Sequence, residues 1–156
     1  MAIEVQYADA TELVAAGDCL IIRIVDGQRS TTADFDRLVG VLDSALGDAP
    51  LVGYVQIVCQ GTPPLQPDVR RHVAAMFDQY SDRVVGVIAL LGLGFWTKSY
   101  RVAMRAFNSL LRRSHIHVAG TVEQAFETLA NELIGINAEE LMAVHAELSE
   151  HMAKLR

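Results

Sequence analysis

Three nearly continuous apolar runs constrain the fold of this chain more than any other feature. They are CLIIRIV at 19–25, LVGYVQIVC at 51–59 and RVVGVIALLG at 83–92. A strand that is apolar at consecutive positions is buried on both faces, as the inner strands of parallel sheets are. Each run is followed by a segment with helical periodicity. The sequence therefore predicts an α/β fold, with helices packed on a mostly parallel sheet.

The segments after the runs carry helix-start signals. Thr31 or Thr32 can cap a first helix, whose initial turn holds Asp34 and Asp36 near the positive end of the helix dipole. Further helices are predicted at 68–82 with Asp68 as cap, at 97–113, and from Thr121 to 135. Two other stretches predict strands: one or two short strands within 3–16, and one at 115–120.

Composition sets broad limits on function. The 156 residues fit one domain, and 51% apolar with 21% charged residues is typical of a compact protein with a buried core. The net charge of −6 argues against a role in coating nucleic acid. No apolar run is long enough to span a bilayer, and no secretory signal is visible, so we expect a cytoplasmic location. Cys19 and Cys59 lie inside apolar runs and are predicted to be buried, unpaired thiols.

The last segment reads as a separate amphipathic helix. Asn137 and Glu140 form a capping-box pattern at its start. A narrow apolar seam then follows at four-three spacing, formed by Leu141, His145, Leu148, Met152 and Leu155. The seam can lie back on the domain, or it can pair with the same helix of a second chain in a homodimer. We therefore divide the chain into a domain at 1–135 and a C-terminal helix at 136–156.

Residues 90–107, LLGLGFWTKSYRVAMRAF, resemble a phosphate-binding loop at first sight. A Walker motif requires Gly immediately before Lys98, and a dinucleotide-binding fingerprint requires Gly at Thr97, so neither motif is present. What remains is a strand end that feeds a helix N-terminus, an arrangement that favours anions. A small-ligand or phospho- or lipid-headgroup site near Gly94–Ser99 is therefore one hypothesis. The alternative is that the glycines only permit a tight turn.

The helix after this loop carries a basic face. At 100° per residue, Lys98, Arg101, Arg105 and Arg112 lie within about 60° of one another, and Arg113 extends the row. These five positive charges leave −11 for the remainder of a chain whose total is −6. Charge is therefore segregated along the sequence. The acidic C-terminal helix can lie across this face, or the face can be free to contact a partner.

We predict that the basic face binds an acidic protein surface, with two aromatic residues beside it supplying buried contact area. The predicted partner-binding residues are Phe95, Trp96, Lys98, Arg101, Arg105 and Arg112. Duplex nucleic acid is the poorer candidate, because the acidic remainder of the chain repels it.

The sequence holds no recognisable catalytic motif. There is no Gly-x-Ser-x-Gly turn for a nucleophile. His115 and His117 share one face of a short strand, but no further ligands at metal-binding spacing accompany them. We therefore predict a non-enzymatic protein without metal or cofactor.

The order of elements, together with two local signatures, resembles the SpoIIAA-like branch of the STAS superfamily. The signatures are Gly27-Gln28-Arg29-Ser30-Thr31-Thr32 before the first helix, and the closing TVEQAFETL at 121–129. The resemblance covers about residues 3–133. It implies a non-enzymatic bacterial regulatory or adaptor module, with a four- or five-stranded sheet and helices mostly on one side.

One turn departs from that family's pattern. Anti-sigma-factor antagonists of the superfamily carry a phosphorylatable serine in an Asp-Ser-Ser-Gly-type turn after the second long strand. The corresponding turn here is Cys59-Gln60-Gly61-Thr62-Pro63-Pro64, which has neither that serine nor the preceding aspartate. Thr62 is the candidate for phosphorylation in this turn, although Pro63 and Pro64 hold the loop extended.

Overall fold

A six-stranded sheet forms the centre of the computed structural model, which describes residues 2–17, 19–47, 49–80, 82–92, 97–111 and 116–156. In sequence and spatial order the strands are β1 (Glu4–Ala8), β2 (Glu12–Ala16), β3 (Leu20–Val25), β4 (Val52–Val58), β5 (Val84–Leu90) and β6 (Ile116–Ala119). The neighbouring strands β1–β2 and β2–β3 run antiparallel. The pairs β3–β4, β4–β5 and β5–β6 run parallel. The predicted α/β class is confirmed.

Within these described ranges, five helices connect or follow the strands. They are α1 (Thr32–Leu46), α2 (Pro67–Asp78), α3 (Thr97–Leu110), α4 (Val122–Glu132) and α5 (Ala138–Ala153). Thr31 is the N-cap of α1 and forms a reciprocal capping box with Asp34, as the sequence allowed. The cap predicted at Asp68 is wrong. Gln66 is the N-cap of α2 and Pro67 takes the first helical position, where its fixed φ suits a helix start.

The sheet has six strands, whereas the resemblance implied four or five, and residues 3–16 form two short strands rather than one. The additional strand belongs to an N-terminal hairpin of β1 and β2. Asp9 makes this turn because its carboxylate accepts hydrogen bonds from the backbone N–H groups of Thr11 at 2.7 Å and Glu12 at 2.8 Å. A short side chain that bonds the backbone two or three residues on is a turn signal, and it separates one apparent strand into two.

The helices cover both faces of the sheet, three on one and two on the other, rather than lying mostly on one side. From β3 to β6 each strand lies parallel to and beside its predecessor. Because such crossovers are right-handed as a rule, the connecting helices α1, α2 and α3 pack on one face. The strands are apolar on both faces, so the opposite face also requires a cover. Helices α4 and α5 provide it.

Helix α5 packs on its own chain. Its seam residues Leu141, Leu148 and Met152 are buried in one core with α4 and with the sheet. At the other end, the guanidinium of Arg156 pairs with the carboxylate of Asp26 at the end of β3. The apolar seam is therefore used within the chain, and the homodimer predicted through 137–156 stays a prediction.

Candidate functional site

The basic face predicted on α3 is exposed. Lys98, Arg101 and Arg105 all project to solvent, and we call these three residues the basic stripe. On the opposite side of the helix Ala103, Met104 and Phe107 are buried against the sheet and the neighbouring helices, together with Leu111 just beyond its end. The amphipathic pattern predicted for this helix is therefore present, because one side of α3 lies in the core and the other carries exposed positive charge.

No carboxylate within the described ranges forms an ion pair with Lys98, Arg101 or Arg105. In contrast, Arg37 pairs with Glu12, and Lys154 pairs with Glu150 at 3.2 Å. The acidic helix α5 lies on the other face of the sheet and does not cover the stripe. The positive charge on α3 is therefore available to a partner.

Some of the predicted site residues fall outside the described part of the chain. These are Phe95, Trp96 and Arg112, together with Gly94 of the proposed anion loop and His115. Their roles stay predictions.

A groove separates α3 from α2 and from the loop before α2. Its volume is about 360 Å³, and Pro64, Ser99, Val102 and Ala106 line it with small side chains. Arg70 of α2 and Lys98 of α3 supply two positive charges at its walls. Val102 is 59% exposed, so the groove offers apolar surface beside these two cations.

An apolar cavity lies behind the groove, between the sheet and helices α1, α2 and α3. Its walls include Phe35, Phe77, Met104 and Phe107 from the helices, and Tyr54 and Gln56 from β4. Its free space is about 40 Å³, so the cavity is small. Arg70 and Ala103 border both the cavity and the groove, so the two spaces are neighbours.

A fully buried arginine, which the sequence analysis did not single out, organises the sheet beside this cavity. Arg23 of β3 lies opposite Gln56 of β4 in the parallel register. Its Nε donates to Glu12 Oε2 at 2.8 Å, its Nη2 to Ser30 Oγ at 2.7 Å, and its Nη1 to Gln56 Oε1 at 3.0 Å. The only hint in the sequence is a charged residue within the run CLIIRIV. Such a residue requires a buried acceptor, here Glu12.

Burial also shapes the titration of groups around Arg23 and the cavity. Desolvation raises the pKa of the Tyr54 phenol well above its ordinary value, which keeps the hydroxyl a hydrogen-bond donor to Gln56. Desolvation likewise raises the pKa of Tyr100, whose hydroxyl donates to the backbone oxygen of Pro63 at 2.6 Å. This second bond joins α3 to the loop that forms one wall of the groove.

Thr62, the candidate for phosphorylation, is 2% exposed. Its hydroxyl oxygen accepts a hydrogen bond from the backbone N–H of Gly27 at 2.8 Å and lies 3.5 Å from the carbonyl oxygen of Val25. Phosphorylation of Thr62 stays a prediction, and it requires this turn to open before a kinase can reach the hydroxyl.

Three further sequence expectations concern the cysteines, metal ligands and membrane spans. Cys19 and Cys59 are unpaired and partly buried, and burial raises the pKa of the Cys59 thiol to about 11. Within the part of the chain that the structure describes, no three potential metal ligands cluster together. None of the described helices has the length and apolar character to span a bilayer.

Comparison with solved structures identifies the fold. The chain is similar to the crystal structure of an uncharacterized protein of the DUF3478 family from Shewanella loihica PV-4, described as having a SpoIIAA-like fold. The match covers 83% of this chain and 93% of that one, with a TM-score of 0.50 and 14% sequence identity. The fold is SpoIIAA-like. No protein-family model and no curated protein match the sequence.

The resemblance inferred from element order and the two signatures is thus confirmed at the level of the fold. Within the SpoIIAA-like fold, the described part of the predicted stripe and the groove lie on the face that carries α1, α2 and α3. A shared fold does not specify a partner, so the function is argued from this face itself.

Proposed function

We propose that this chain is a non-enzymatic regulatory or adaptor module of the bacterial cytoplasm that binds an acidic protein partner through α3. Lys98, Arg101 and Arg105 set the charge and orientation of the partner, and Phe95, Trp96 and Arg112 complete the surface. The observation that carries this proposal is the exposure of the stripe without an ion pair to any described carboxylate.

Electrostatics supports a protein partner with an acidic patch. Unpaired cations on one helix face attract an acidic surface from solution, and rim charges of this kind change association rates and salt dependence more than they change the fold. Val102 and the small residues of the groove add apolar surface beside the charges, as partner-binding surfaces generally require.

The test is a double charge reversal, Arg101→Glu with Arg105→Glu, in the full chain. We expect affinity capture to retain a specific protein on the wild-type chain and to lose it on this variant, with an unchanged thermal transition. The matched control is Arg71→Glu with Lys154→Glu, which changes the net charge equally at exposed positions outside the stripe. Equal capture by both double variants contradicts the proposal.

The same protein samples distinguish protein binding from the small-ligand hypothesis. Lys98 and Ser99 share the groove, which favours an anionic ligand there as the second candidate. Thermal stabilisation of the wild-type chain by inorganic phosphate, nucleotides or phosphorylated headgroups, without any captured protein, supports this second function instead.

A further inference from the structure

Helix α3 exposes apolar side chains beside its charges. Val102 is 59% exposed and Leu110 is 41% exposed, and the small side chain of Ala106 lies between them at a spacing of four residues. Residues four apart share one side of a helix, so these three form a short apolar row next to the basic stripe. Such a row with cations along one edge is suited to a second helix that carries small side chains and carboxylates.

The outer side of α5 has the complementary composition. We call its exposed carboxylates the acidic patch, which consists of Glu139, Glu140, Glu147 and Glu150. Ala143 and Ala146 are exposed among them. Lys154 pairs with Glu150 at 3.2 Å, but no described Lys, Arg or His forms an ion pair with the other three carboxylates. The buried seam lies on the other side of the helix, so the patch is available while α5 stays docked on its own chain.

The stripe and the patch match in charge and in spacing. Lys98 and Arg105 are seven residues apart, as are Glu140 and Glu147, which separates each pair by about 10 Å along its helix. Within one molecule the two surfaces cannot meet, because α3 and α5 lie on opposite faces of the sheet. A second molecule is therefore required to pair them.

We infer that the basic stripe of one molecule binds the acidic patch of a second copy of this chain, in a head-to-tail arrangement. The inference rests on the proposed function, because it names the acidic partner of α3. Each contact between two copies leaves one stripe and one patch unpaired, so further copies can add and the assembly does not close at a dimer. One side of each of two helices buries less than the roughly 1,000 Å² of a stable interface, so the association is weak and reversible.

The first test is sedimentation equilibrium of the wild-type chain at about 20 mM and about 300 mM NaCl. At the lower salt concentration we expect the average mass to rise with protein concentration and to pass the mass of a dimer, with a Kd on the order of 100 µM. At the higher salt concentration the affinity should fall by about tenfold or more, because the exposed charges are screened. A monomeric mass up to about 500 µM protein at low salt, or a mass that levels off at the dimer, overturns the inference.

Charge reversal on each surface locates the contact. Arg101→Glu with Arg105→Glu reverses the stripe, and Glu147→Lys with Glu150→Lys reverses the patch, so each double variant alone should stay monomeric at low salt. An equimolar mixture of the two should associate again, with a Kd within about fivefold of the wild-type value, because each reversed surface then meets one of opposite charge. Thermal unfolding confirms that both variants are folded. A mixture that stays monomeric overturns the inference.

The matched control reverses two carboxylates outside the patch. Glu127→Lys with Glu132→Lys changes the net charge equally at exposed positions of α4, so this variant should associate as the wild type does. A loss equal to that of the patch variant overturns the inference, since net charge alone then explains it. Capture of a different acidic protein through the stripe of a monomeric chain overturns self-association and leaves the proposed function intact. Absence of both self-association and a captured protein contradicts both.

Discussion

The two faces of the sheet differ in the residues that they bury. Helices α4 and α5 close one face with a continuous apolar core, in which Leu141, Phe126 and Leu129 are fully buried. The face under α1, α2 and α3 contains a buried charge at Arg23, a cavity at Gln56 and an unpaired basic stripe outside. Both faces have an apolar core, and the second face adds buried polar groups and exposed cations to it.

This difference shows where a small domain can accommodate a site. A polar group inside a core is retained only if its hydrogen bonds are satisfied or a ligand satisfies them. On the α1–α3 face, Glu12, Ser30 and Gln56 accept the hydrogen bonds of the buried Arg23 guanidinium. The three predictions below test the contrast between the faces through stability.

The largest effect is expected from Glu12→Ala. Removing this carboxylate leaves the fully buried guanidinium of Arg23 without its anion, so the free energy of unfolding should fall by about 3–5 kcal/mol in urea denaturation. The control is Glu4→Ala on the exposed edge strand β1, with an expected change below about 0.5 kcal/mol. A loss under about 1 kcal/mol for Glu12→Ala contradicts the role of the buried pair.

On the opposite face, Leu141→Ala should lower the free energy of unfolding by about 3 kcal/mol, because it opens a cavity where α5 meets the core. Met142→Ala, at the next position and 36% exposed, is the matched control and should cost less than about 1 kcal/mol. If α5 instead paired with a second chain, the loss would depend on protein concentration. A concentration-independent loss supports docking within the chain.

The smallest effect concerns pH. Burial lowers the pKa of His145, which lies edge-on to Phe126, below its ordinary value. The unfolded chain therefore takes up a proton first as pH falls through about 6.5, so stability is present above that pH and decreases below it. Replacement by His145→Gln should remove this component.

The ring of His145 is only half-buried, so the difference in stability between pH 7.5 and pH 5.5 should stay below about 1 kcal/mol. His151→Gln, exposed on the same helix, is the control and should keep the pH dependence of the wild-type chain. Identical pH profiles for wild type and His145→Gln contradict the buried role of His145.

Much of the fold follows from patterns that act over a few residues. The apolar runs specify inner strands, and the threonines at 31 and 121 mark helix starts because their hydroxyls satisfy free backbone N–H groups. The spacing of Lys98, Arg101 and Arg105 predicted the exposed basic face, because residues three or four apart lie on the same side of a helix. The hairpin turn at Asp9 was the weaker signal, because it left open whether residues 3–16 form one strand or two.

The sequence by itself determined which segments are strands and helices, and which side of α3 carries charge, because these depend on local periodicity. Only the tertiary structure decided that Arg23 meets Glu12 and Gln56, that Arg70 stands between groove and cavity, and that α5 docks on its own chain. Such contacts join residues distant in sequence, and the register of the sheet and the packing of its two helical layers bring them together.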